Sequence, residues 1–128
     1  MRELGEGITR KLLADPNRQE VLTWLRGAAE GEHRTLGILA DTSRSIALAE
    51  EIYRAGASEV WAVDIRSSVR EYIDCAERHQ NTGKLVLKLP DDPELRRRVF
   101  EWERRQANAL GLEGRKDEGQ QYLFVPLD

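Results

Sequence analysis

The sequence predicts an α+β fold: a four-stranded sheet with a ferredoxin-like β-α-β-β-α-β plait, behind an N-terminal helical arm. Three observations predict it. Two strand–helix–strand patterns follow one another, over 35–41, 43–55 and 60–65, then over 84–89, 93–110 and 122–127. The 34 residues before them have a helical, polar-rimmed pattern. The third strand alternates Leu85, Leu87 and Leu89 with Lys84, Val86 and Lys88, as a strand does when only one face meets a core. The alternative turns on residues 67–80. If they form a full crossover helix, the chain becomes a three-layer α/β fold with a mainly parallel sheet.

Each element has its own signal. In the arm, Asp15-Pro16 reads as a helix start, an N-cap carboxylate before a proline at the first helical position. Val21, Leu22, Leu25, Ala28 and Ala29 then share a stripe with Trp24 at its margin, and Ile8, Leu12 and Leu13 suggest a shorter helix before it. The first strand, 36–40, is apolar nearly throughout, which suits a central strand buried on both faces. Ile46, Ala49, Ile52 and Tyr53 line the next helix, and Gly56 stands where a left-handed C-terminal residue belongs.

In the second strand Trp61, Val63 and Ile65 alternate with Val60, Ala62 and Asp64. Val69, Tyr72, Ile73 and Ala76 recur at i, i+3, i+4 and i+7, a helical spacing within the ambiguous stretch. Asp91-Asp92-Pro93 opens the last helix, whose inner side carries Leu95, Val99, Trp102 and Gln106 with Phe100 flanking. Its outer side offers Glu94–Arg98 and Glu101–Arg105 pairs at i, i+4. A charged loop runs from 111 to 119, and Pro126 places the last strand at a sheet edge.

At 128 residues the chain makes one domain, the arm 1–34 on a core 35–128. Twenty basic and 23 acidic residues are interspersed for a net charge of −3, which gives no long-range pull on nucleic acid or anionic lipid. Neither nucleic acid nor membrane is an expected partner. The single cysteine excludes a disulfide framework and a cysteine-based zinc cluster, and no apolar run resembles a leader or a membrane span. A cytoplasmic location is the expectation, with no metal and no cofactor.

Chemistry has few places to occur. In either topology a right-handed crossover makes the first two strands parallel, so their carboxyl ends meet at one sheet edge. That edge would gather Asp41, Thr42, Ser43, Arg44 and Ser45 with Asp64 and Arg66. Hydroxyls and a guanidinium at a helix N-terminus suit a small anionic ligand, whereas a structural role would have Asp41 or Ser43 cap the helix. Glu71, Cys75 and His79 would align on one helix face, too few groups for a metal site and better read as packing. Arg96, Arg97 and Arg98 are interleaved with glutamates as on a salt-bridged surface.

The expected function is a non-catalytic module that self-associates, as a homodimer or larger, or binds a protein partner or small ligand. Self-association follows from Val60, Ala62 and Val86 on a sheet face left open by the main helices. The alternative is a small enzyme acting on a phosphorylated or carboxylated metabolite, with Asp41 or Asp64 as base and Arg44 holding the anion.

Overall fold

The two strand–helix–strand patterns do not close into one sheet. A computed structural model describes residues 2–39, 41–71, 73 and 76–128, with the side chains of 2–6 and of residue 70 left aside. In chain order the elements are α1 (Arg2–Leu13), β1 (Gln19–Glu20), α2 (Val21–Arg26), β2 (Glu32–Leu36), α3 (Thr42–Ala55), β3 (Glu59–Val63), β4 (Arg66–Glu71), β5 (Ala76–Thr82), β6 (Lys84–Lys88), α4 (Pro93–Ala109) and β7 (Tyr122–Pro126). They build an α+β fold with a four-stranded antiparallel sheet ordered β1-β3-β6-β7 and a three-stranded sheet ordered β2-β5-β4.

A single bent ribbon links the two sheets. β3 pairs with β6 from Glu59↔Lys88 to Val63↔Lys84, and β4 pairs with β5 from Arg66↔Asn81 to Glu71↔Ala76. Partner numbers sum to 147 throughout, so this is one long hairpin in constant register, interrupted only at 64–65 and 82–83. At the bend Asp64 takes φ 52°, a left-handed conformation that Asp tolerates better than most residues. Asp15 Oδ2 accepts its backbone N–H at 3.0 Å.

This arrangement overturns the plait and the parallel alternative alike. Residues 67–71 and 76–80 are antiparallel strands, not a helix. The first core strand ends at Leu36 because Gly37, at φ 55°, turns the chain. A Cβ at Gly37 would meet the Cβ and carbonyl oxygen of Leu127 at 2.9 Å, so only glycine fits there. β2 therefore consists of polar Glu32, His33, Arg34 and Thr35 ahead of Leu36, and it pairs in parallel with β5. Both edges of β3 are already taken, by β1 and β6. The predicted parallel pair of first and second strands does not form.

Val60 and Ala62 lie opposite Leu87 and Leu85, which in turn oppose Leu123 and Val125. They share one face and one core with Val21, Trp24, Leu25, Ile52, Val99 and Trp102. Trp24 is fully buried rather than marginal, and α2 is only six residues long, with Glu20 as its N-cap. The Asp15-Pro16 helix start is not realised, since Asp15 Oδ1 accepts from Asn17 N in a tight turn. The other sheet face carries Trp61, Val86 and Phe124. There α1 packs across β3, β6 and β7, and the Arg18 guanidinium lies 5.2 Å from the Trp61 ring centroid. Val60 and Ala62 lie on the core face and Val86 on this one, and all three are fully buried, so the single open face expected of them does not form.

The later elements follow their signals. Asp92 caps α4 with Pro93 in its first turn, Gly56 ends α3 at φ 127°, and β7 lies at the sheet edge. Because β7 runs antiparallel to β6, residues 110–121 must return along α4. Arg96 anchors that return, bonding Asp117 at 2.5 Å and the Gln120 carbonyl at 3.1 Å. On the outer side Glu94 pairs with Arg97 at 2.6 Å rather than with Arg98, which turns to the Arg54 carbonyl. No helix is long and apolar enough to cross a membrane among the described residues.

Candidate functional site

The predicted loop is built largely for structure. Asp41 caps α3, its Oδ1 accepting from Arg44 N at 2.7 Å. Thr42 Oγ1 accepts from the backbone N–H of Arg34 at 3.1 Å, and buried Ser45 Oγ accepts from Leu36 N at 2.9 Å while donating to the Asp41 carbonyl. Two of the hydroxyls thus serve the outer edge of β2, which has no strand beside it. Ser43 and Arg44 are exposed, and Arg44 stands 3.9 Å from the Asp41 carboxylate.

Asp64 and Arg66 sit at the ribbon bend instead of joining that loop through a shared pair of parallel strands. Asp64 accepts from Arg66 at 3.1 and 3.2 Å and from Lys84 at 2.9 Å. The Arg66 guanidinium, then the Lys84 ammonium, hold its carboxyl below the usual carboxylate range. That is the opposite of what a general base requires.

The structure assembles another constellation on the three-stranded sheet. In one row Ser68 of β4 faces His79 of β5, which faces His33 of β2. In the next row Arg66 faces Asn81, which faces Thr35. Register partners on adjacent strands share a face, as do residues two apart on one strand. All six side chains therefore rise from the same side. The opposite side carries Ser67, Gln80 and Arg34, where Gln80 Oε1 accepts from Trp24 Nε1 at 2.8 Å and Arg34 donates to the Trp24 carbonyl. That side leans on α2, leaving the six-residue side open. His33, Arg66, Ser68 and His79 are exposed, while Thr35 is buried and Asn81 half-buried.

Hydrogen bonds organise the inner row. Asn81 Nδ2 donates to Thr35 Oγ1 at 2.8 Å and to the Gly37 carbonyl at 3.0 Å, pinning the turn that ends β2. Thr35 Oγ1 lies 2.8 Å from His79 Nε2. Beside the bond from the Asn81 amide that oxygen keeps a lone pair and its own hydrogen, so it accepts from a protonated Nε2 of His79 or donates to a bare one. His79 is thus oriented by a buried hydroxyl that an amide orients in turn. With the amide spent on Thr35 and Gly37, the arrangement offers two imidazoles, the Arg66 guanidinium and the Ser68 hydroxyl in two adjacent rows, a donor set for a phosphate or carboxylate.

Sequence reasoning missed this site because it placed His79 on a helix. The Glu71–Cys75–His79 helical alignment dissolves: Glu71 pairs with Ala76 and His79 with Ser68, and Cys75 lies outside the described residues. One signal was present. His33-Arg-Thr35 and His79-Gln-Asn81 each place a histidine two residues before a hydrogen-bonding side chain, a strand spacing. A depression between α4 and the returning segment is lined by Arg97, Phe100, Arg104, Arg115 and Asp117. Arg97 there is held by Glu94 and Glu101, and Asp117 by Arg96, so these charges are already matched. No group of three or more metal-ligating side chains occurs among the described residues. No protein-family model, no curated protein and no solved structure matches this chain.

Proposed function

We propose that this protein is a binding module that takes a small anionic ligand, a phosphate ester or carboxylate, on the open face of the β2-β5-β4 sheet. The observation that carries the reading is the register that sets His33 beside His79 and Thr35 beside Asn81, with Ser68 and Arg66 completing the rows. Each charge-assisted contact to such an anion contributes about 1.5–3 kcal/mol. Titration with inorganic phosphate, followed by amide chemical shifts, should perturb residues of β2, β4 and β5 together. His79→Gln should weaken binding about tenfold, and its exposure predicts little change in stability. Shifts that localise to residues 41–45, with binding lost on Arg44→Ala, would move the ligand to the helix cap. Absence of any response at about 10 mM phosphate, a binding free energy weaker than about 3 kcal/mol, would end the reading.

Self-association is a second reading, favoured by the outer hairpin. Val69 is 59% exposed and Ile73 fully so, and β4 is an edge strand with one side unpaired. Such an edge is a template for pairing. A two-fold axis normal to the sheet at Val69 would set that residue beside its own copy and join two three-stranded sheets into six. Light scattering at high micromolar concentration should then give a dimer mass that Val69→Lys reduces to a monomer. A wild-type monomer under those conditions would remove this reading.

A further inference from the structure

We infer that the imidazole pair His33/His79 makes the open sheet face a site of phosphodiester hydrolysis, an inference that rests on the anion-binding reading above. Neighbouring strands run about 4.8 Å apart, so the two in-register histidines start close enough to reach one phosphate-sized group. Imidazole is the side chain that changes protonation near neutral pH, and two of them can share the roles of base and acid. They are the only histidines in the chain, 46 positions apart in sequence, and the parallel β2–β5 ladder places them opposite one another.

The second row supplies what such a reaction needs beyond proton transfer. Thr35 fixes the ring of His79 from below, and Asn81 fixes Thr35. Arg66 spends Nε and one terminal nitrogen on Asp64, which leaves its other terminal nitrogen for a phosphoryl oxygen. Ser68 adds a hydroxyl in the row of the histidines. Both histidines are exposed, so a diester can reach them from solvent.

The step balances with water as the only co-reactant. Water attacks phosphorus as one imidazole takes its proton. The P–O bond to the leaving group breaks in line with the attack, and the other ring, as imidazolium, gives its proton to the departing oxygen. The products are a phosphomonoester and an alcohol or phenol, with no change of oxidation state. Proton exchange with solvent restores both rings.

The test uses the full chain with two probes, bis(p-nitrophenyl) phosphate and diphenyl phosphate. Their leaving groups differ in how much protonation they need. Wild type should hydrolyse both. His33→Gln and His79→Gln should each lower kcat on diphenyl phosphate by about a hundredfold or more with KM changed far less. The variant lacking the acid should recover much of that loss on the nitrophenyl substrate, which departs without a proton, and the variant lacking the base should not. Phosphate titration runs alongside. Phosphate binding without turnover overturns the inference and leaves the binding reading standing; neither binding nor turnover overturns both. Turnover that survives both substitutions also overturns the inference, because the histidines would not be the groups at work.

Discussion

Tyr53→Phe isolates one hydroxyl that ties three elements together. The Tyr53 hydroxyl of α3 donates to Glu20 Oε2 at 2.5 Å and accepts the backbone N–H of Val60, in β3, at 3.1 Å. Glu20 meanwhile caps α2, accepting from Thr23 N at 2.8 Å and Leu22 N at 3.1 Å. Phenylalanine keeps the ring, so no cavity forms. The loss comprises a hydrogen bond to a charged group, about 1.5–3 kcal/mol, and an unsatisfied amide at a buried residue, about 1–3 kcal/mol at full desolvation. Tyr53 is only partly buried, which places the expected total at about 2–4 kcal/mol. For a domain of this size that corresponds to a Tm lower by about 7–15 °C.

Urea unfolding monitored by circular dichroism should show the midpoint falling with an unchanged slope. A loss below about 0.5 kcal/mol would refute the reasoning and mean that water replaces the hydroxyl at both partners. The same geometry has a spectroscopic consequence. Burial, then the Glu20 hydrogen bond, push the Tyr53 phenol well above its ordinary value of 10.0. A raised folded value contributes stability that is complete below the unfolded value and lost as pH rises through the folded one. Absorbance at the phenolate band should therefore show Tyr53 ionising only as the protein unfolds in alkali.

Three further outcomes are expected. Asp41→Ala should cost about 1 kcal/mol through loss of the α3 cap, while Arg44→Ala should stay within about 0.5 kcal/mol, because its contact with Asp41 is long and exposed; equal costs would show that the cap is not the source. Asp64 is held below its ordinary value of 3.8 by Arg66 and Lys84, so its contribution is present above that pH and lost as pH falls through the folded value. The stability difference between wild type and Asp64→Asn should thus be flat from about pH 7 to pH 5 and shrink below about pH 4; a difference independent of pH would contradict the ion pairing. Trp102→Ala should cost about 3–5 kcal/mol, since Trp102 is 3% exposed in the main core, and a loss under about 1 kcal/mol would put it on the surface.

Local chemistry by itself determined much of this protein. Asp41, Asp92-Pro93 and Gly56 mark helix ends through bonds made within three or four residues, so α3 and α4 were legible where they stand. Alternation in 84–89 and the stripe Leu95, Val99, Trp102 identified core faces, because burial against a core writes its period into the sequence. The α+β class follows from these elements. Tertiary structure decided the rest. The outer hairpin has exposed side chains along most of its length, so no burial period announces it, and the Val69–Tyr72–Ile73–Ala76 spacing imitated a helix. Residues 76–82 pair on one side with the nearby 66–71 and on the other with 32–36, and the second ladder spans more than forty positions that no local window contains. Gly37 was readable as a glycine but not as the end of a strand, since what enforces it is Leu127 from the far end of the chain. The candidate site has the same origin. His33 and His79 each carry an ordinary strand spacing to Thr35 and Asn81, and only a parallel pairing of two distant segments, in this one register, makes them neighbours.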